Sequence, residues 1–393
     1  WNDISPRIGM TYDVSGDGRT ILSSSFGMYF GQMSPGQLSS ELAATGAVFV
    51  RFPWNDLNGD RFVQVDELDQ STILSRSAAY DPANPANFRS PGTVDPDVKN
   101  DRTREFIAGF DRQLGSVMAF GGSYIWRKYD RFNWRDRVGF TSADMRAVTF
   151  TPTTCPAGAR CEEVTFFEPT IPLPSAYIYT NVPDRYRNYN GVELTFQKRY
   201  ANRWSMNASY AFNNAVDHWD SLNAVEDPTC RGIQTAGSME NTPFCGTSMQ
   251  FAQEAGGSGI DNVFINAKWL VKVNGRYTAP WDINVAAAYN GRQGYPFLQS
   301  ILSPARANQA GQVRVLLDPI GEQRLPNLHT FDLRIDRAFR FGQAQLRPTL
   351  DIFNLGNVST VLAQRTNQVA TNANQISGII APRVLRFGVS VQW

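Results

Sequence analysis

The stretch that decides the fold is the last one, Pro382-Arg383-Val384-Leu385-Arg386-Phe387-Gly388-Val389-Ser390-Val391-Gln392-Trp393. From Leu385 onward the alternation is strict. Leu385, Phe387, Val389, Val391 and Trp393 fall on one side, and Arg386, Gly388, Ser390 and Gln392 on the other. A period of two is a strand with two unlike faces. Chain ends usually fray into polar residues, so an apolar strand running to a final tryptophan asks for an apolar surround. Lipid outside and a wet lumen inside would supply one. The alternative is the closing strand of a soluble β-sandwich, and the rest of the chain has to choose.

Working outward, the same pattern recurs in pairs. Ile8, Met10, Tyr12 and Val14 alternate with Arg7, Gly9, Thr11 and Asp13; after the tight turn Ser15-Gly16-Asp17-Gly18, Leu22, Phe26, Met28 and Phe30 alternate with small or polar neighbours. The turn glycines supply positive φ. A second pair spans Thr103 to Leu114 and Val117 to Tyr129, and a third Tyr189 to Lys198 and Trp204 to Asn213. A fourth covers Phe264 to Tyr277 and Ile283 to Asn290, and a fifth Thr330 to Arg340 and Gln345 to Asn354. Arg337 and Pro348 break the pattern on their apolar faces.

With the terminal strand this predicts an all-β fold of about 11 strands, an antiparallel up-and-down portion of a transmembrane β-barrel filling residues 1–393. The linkers alternate short and long. The long ones cover about 32–102, 130–186, 215–262, 293–325 and 355–381 and are rich in Pro, Asn, Asp and Ser. Sandwiches have modest loops at both ends, whereas outer-membrane barrels have short periplasmic turns and long extracellular loops. By that polarity the terminal strand descends and the C-terminus lies on the periplasmic side, with Trp393 in the interfacial aromatic girdle. Asp332, Arg334, Asp336, Arg347, Asp351, Lys268 and Lys272 fall on the polar faces. A dry core would penalise such charges by several kcal/mol each; a hydrated lumen accepts them.

Composition narrows the function. The net charge is +1 over 393 residues, which gives no electrostatic case for nucleic acid. No stretch has the ~18 consecutive apolar residues of a membrane helix. Two histidines, His218 and His329, stand without a nucleophile motif nearby, so no catalytic residues and no enzyme are expected. Asp332, Asp336 and Asp351 read as rows on a lumen wall rather than as a catalytic carboxylate pair. Cys155, Cys161, Cys230 and Cys245 have poor zinc spacings and no adjacent histidine, so they are disulfide candidates of an oxidising compartment.

One loop has a metal-like pattern. Asp56-Leu57-Asn58-Gly59-Asp60-Arg61-Phe62-Val63-Gln64-Val65-Asp66-Glu67 places oxygen ligands Asp56, Asn58, Asp60, Gln64 and Glu67 at positions 1, 3, 5, 9 and 12 of a calcium loop. Position 6 is Arg61 where a glycine is normal, and the same residues also read as a polar loop of Asx turns. Calcium is the one cofactor expectation, and no other cofactor is expected. The clusters Tyr186-Arg187-Asn188-Tyr189-Asn190 and Arg292-Gln293-Gly294-Tyr295-Pro296-Phe297 lie at long-loop strand ends, as substrate contacts or as an outer aromatic girdle.

Several of these pieces resemble TonB-dependent outer-membrane receptors, in particular the Oar-like group. They are Ser5-Pro6-Arg7-Ile8-Gly9, Gly16-Asp17-Gly18-Arg19-Thr20, Phe26-Gly27-Met28-Tyr29-Phe30, Glu105-Phe106-Ile107-Ala108-Gly109, Leu333-Arg334-Ile335, Leu350-Asp351-Ile352-Phe353-Asn354-Leu355-Gly356-Asn357, and the ending from Arg386 to Trp393. The resemblance implies a 22-strand barrel closed by a plug, outer-membrane lipid around it, and uptake of a bulky extracellular substrate driven by the TonB complex through that plug. No plug, TonB-contact motif or signal peptide is seen here, so the chain reads as the C-terminal barrel part, with the plug and N-terminal strands absent. Other expectations on the same wall are a passive porin or a surface adhesin, and further off a secreted soluble carbohydrate-binding β-protein.

Overall fold

A computed structural model describes residues 3–31, 49–76, 80, 82–85, 92–174, 176–181, 185–219, 227–229, 248–250, 253–254, 264–265, 267–318 and 321–393. Among these, eleven strands form one continuous antiparallel path. They are β1 (Arg7–Asp13), β2 (Thr20–Phe30), β3 (Arg102–Leu114), β4 (Met118–Asp130), β5 (Arg185–Ala201), β6 (Trp204–Trp219), β7 (Trp269–Thr278), β8 (Ile283–Arg292), β9 (Leu328–Arg337), β10 (Ala344–Phe353) and β11 (Val384–Gln392). Each pairs with its neighbours in sequence, so the wall is a meander. Two short strands, Ser248–Gln250 on β6 and Phe339–Phe341 on β10, are appended to it.

The pairing carries the apolar rows straight across the sheet. Tyr12 sits opposite Leu22, Leu22 opposite Phe110, Phe196 opposite Ala208, and Leu350 opposite Phe387. Among the described residues no second layer packs over that face. Phe387 is 77% exposed, Val389 67% and Ile8 73% on the two edge strands, and on inner strands Phe106, Tyr210 and Phe331 remain 37–40% exposed. The terminal strand is therefore not the inner strand of a sandwich.

Short links close tightly. Asn202 and Arg203 both take positive φ, 54° and 71°, between β5 and β6, and Trp281 and Asp282 do the same, 62° and 56°, before β8. Positive φ at both central residues matches the twist of a hairpin. The structure also corrects four strand limits. β5 and β6 are longer than the alternation suggested, because their long-loop ends carry polar residues on both faces. The wall part of β7 starts at Trp269, since Phe264–Ile265 pairs with Gln253–Glu254 instead. β9 stops at Arg337. Its ladder with β10 lapses between Asp336↔Thr349 and Phe339↔Leu346. The two pattern-breakers Arg337 and Pro348 fall in that gap, where a proline has no N–H to donate.

The buried core lies in the loops rather than the wall. Val164, Phe166, Ile301, Val313 and Val315 form a cluster, with Val148, Phe150, Leu317 and Val369 packed against it. It is built on two loop hairpins, Met145–Phe150 with Val164–Pro169 and Ser300–Leu302 with Arg314–Leu316, and Val369 reaches it from the segment between Val361–Gln364 and Ile376–Ile379.

Candidate functional site

Two regions gather polar side chains: the cluster of long loops and the polar face of the wall. Because the strands alternate in direction, all five long loops leave from the same end of the sheet. They are tied to one another. Cys155 and Cys161 form a disulfide in the second long loop, between β4 and β5. Beside it, the Arg160 backbone N–H donates to Gln368 Oε1 (3.0 Å) and its Nη1 to Gln299 Oε1 (3.1 Å), reaching the fifth and fourth long loops. Arg306 is buried and reaches the third. Its Nη1 donates to Asp227 Oδ2 (2.6 Å) and to the Phe167 carbonyl (2.9 Å), while Nε and Nη2 donate to the carbonyls of Gly311 and Ala310. Thr229 Oγ1 accepts the Phe167 N–H at 2.7 Å.

The first long loop joins through a parallel pairing of Thr93–Val94 with Ile178–Tyr179, and through Thr180 Oγ1 donating to Asp95 Oδ2 (2.6 Å). That hydroxyl, with the Asp97 N–H, holds the Asp95 carboxyl below its ordinary range. The Ala307 N–H, seconded by Arg146, does the same for Glu168. None of Arg160, Arg306, Asp227 or Gln368 stood out in the sequence. Their partners are too distant along the chain for any spacing rule to link them.

The calcium-like loop is folded on its own amides. Asp56 accepts from the N–H groups of Gly59 (2.7 Å) and Arg61 (3.1 Å), and Asp60 from Phe62 N–H (2.7 Å) and Gln64 Nε2 (2.7 Å). Asn58 Nδ2 donates to Asp60 and to Gln64 Oε1. Glu67 is buried, accepting from Trp54 Nε1 (2.9 Å), Leu57 N–H (3.0 Å) and Gln64 N–H (3.2 Å), and the Trp54 bond leads in holding its carboxyl low. Arg61 takes the left-handed φ of 62° that a glycine would take more easily. Among the described residues no group of three or more His, Cys, Asp or Glu side chains is arranged to hold a metal.

The remaining sequence candidates separate. Cys230 and Cys245 lie outside the described residues, as does the side chain of His218. His329 Nδ1 shares a hydrogen bond with Tyr289 OH (2.8 Å) and lies near Trp269, an aromatic group on the apolar face at the long-loop end. The Tyr186 to Asn190 cluster splits between faces. Tyr186 lies under Lys128 and Asn190 accepts from Tyr124 OH on the apolar side, whereas Tyr189, under Arg127, donates to Asn213 on the polar side. Arg292 stacks on Tyr295, and Gly294 carries no side chain because a Cβ there would lie 1.6 Å from the Leu325 carbonyl oxygen.

On the polar face the charged rows sit as the alternation predicts. Asp351 is buried and takes Arg386 Nε (2.8 Å) and Nη2 (2.7 Å), with Arg334 Nη1 at 3.5 Å. Asp332 Oδ1 accepts the Asn354 N–H at 2.8 Å. Near the long-loop end Tyr29 OH donates to Glu105, which also takes Arg127. Asp332, Asp336 and Asp351 are thus held by arginines or amides, as structural wall groups.

A two-faced antiparallel wall with interlocked loops at one end defines the protein as a membrane β-barrel type. The family model described as an outer membrane beta barrel domain matches residues 1–243, and the chain belongs to that family. Among solved structures it is similar to the outer membrane transporter YddB from Escherichia coli (13% identity, TM-score 0.48, 98% of this chain and 40% of that one). It is also similar to the FrpB iron transporter from Neisseria meningitidis, F3-3 variant (12%, 0.45, 98% and 39%), and to the siderophore receptor PirA from Acinetobacter baumannii (11%, 0.44, 98% and 40%). The chain spans about two-fifths of the length of these structures. A search of curated proteins finds no match.

Proposed function

We propose that this chain forms the wall and outer loops of an outer-membrane receptor that imports a bulky nutrient by TonB-coupled active transport. The long loops face outward and the C-terminus lies toward the periplasm. The observation that carries this reading is the interlocked loop cluster. A passive pore needs an open mouth, whereas five mutually anchored loops suit a preformed binding surface. The sequence resemblance to TonB-dependent receptors supports the same reading. The intact protein in planar bilayers should be nearly silent, and uptake in cells should stop when the proton-motive force is collapsed. A steady ohmic conductance would instead assign a porin, and uptake indifferent to energisation would remove the TonB coupling.

A further inference from the structure

The polar face holds a recess that the charged rows do not fill. It has a volume of about 460 Å³ and is lined by Ser205, Asn207, Asn274, Arg276, Ala286, Ala288 and the Asp332–Arg334–Asp351–Arg386 group. Its shape follows from register. Across the sheet, Arg276 on β7, Ala286 on β8 and Arg334 on β9 stand in one row. In the next row, Asn274, Ala288 and Asp332 repeat the pattern. The two alanines floor a slot whose sides stand two strand spacings apart, roughly 10 Å.

The charges around the slot do not cancel. With Asp336 and Arg347, which meet beside the lining residues, four arginines face three aspartates. Asp351 is taken by Arg386 through two short bonds, which leaves Arg334 at 3.5 Å from it and at 3.9 Å from Asp336. Those distances are too long for good hydrogen bonds, and the Arg334 side chain remains 47% exposed. Asp332 is spent on the Asn354 amide. On the far side, Arg276 uses Nη2 on Asn284 (2.7 Å). Each guanidinium carries five N–H donors, so both sides of the slot keep donors to spare.

We propose that this slot is a carboxylate-binding site on the lumen wall, with Arg276 and Arg334 as its two donors and Ala286 and Ala288 as the space for the ligand. The planar fork of arginine matches a carboxylate in two bonds. The carboxylate belongs either to a small solute in the lumen or to an Asp or Glu side chain of polypeptide that occupies it. The site rests on the fold and not on the transport reading, so a protein that failed to transport would still bind.

The test uses the full-length protein in detergent, titrated calorimetrically with glutarate and with neutral glutaramide. In parallel, p-benzoylphenylalanine is placed at Ser205, on the margin of the slot, and cross-linked in cells. Saturable binding of glutarate but not glutaramide supports a solute if it weakens about tenfold or more in Arg334→Gln and in Arg276→Gln and is unchanged in Arg340→Gln at the short-turn end. Ala286→Leu should block it by filling the slot. If glutarate does not bind, a cross-link to an acidic polypeptide segment that disappears in Arg334→Gln supports the polypeptide source. Neither signal, or a loss of binding equal in Arg340→Gln, overturns the site. Heat-modifiable gel migration confirms that each variant has folded.

Discussion

A few side chains hold conformations or partners that are costly to change. Arg203 holds φ at 71° in a two-residue hairpin link after Asn202. Arg203→Gly creates the Asn-Gly pair that such turns favour, and should stabilise by about 1 kcal/mol, read as a higher urea midpoint with an unchanged slope. Arg306 and Asp227 are both buried, with side chains only 3% and 5% exposed. Arg306→Ala removes the guanidinium that faces a buried carboxylate and should cost the loop cluster about 3–5 kcal/mol, seen as proteolysis there while the wall stays heat-modifiable. Glu168 should make the same cluster sensitive to acid. Its folded carboxyl is held below the ordinary value of 4.5 by the Ala307 amide and Arg146. The stability it contributes is full above pH 4.5 and lost as pH falls from there through the depressed folded value. Proteolytic protection of the loops should drop in that window, and Glu168→Gln should flatten the drop.

Among the secondary-structure elements, each wall strand divides its residues between two solvents. Leu350 and Thr349 are neighbours on β10 and belong to opposite faces. Leu350→Arg puts a charge against hydrocarbon and should destabilise by about 2–4 kcal/mol, whereas Thr349→Arg should be nearly neutral, both measured by folding into lipid vesicles. This division is why the wall was legible in the sequence. A period of two needs only neighbouring residues, so β10 and β11 could be drawn before any contact was known. The loop strands are two to six residues long and show no period. Their binding logic is non-local: Arg160 meets Gln368 across 208 positions and Arg306 meets Asp227 across 79. The slot on the polar face is non-local too. Ala286 and Ala288 look unremarkable until register sets them between Arg276 and Arg334.

For the whole molecule, the described wall is a single layer of sheet with one apolar face. Stability cannot come from a central core in such a sheet. It comes from the ladder, from the lipid that covers the apolar rows, and from the loop cluster that knits one end. Everything else in the fold follows from the sidedness of the wall. It is tested most directly by single spin-labelled cysteines at each position from Phe331 to Asp336 of β9, in liposomes, with Cys230 and Cys245 replaced by serine. Labels at Phe331, Leu333 and Ile335 should collide with lipid-soluble oxygen, and labels at Asp332, Arg334 and Asp336 with an aqueous nickel chelate. A profile without the two-residue period, or one with the faces reversed, would contradict the account.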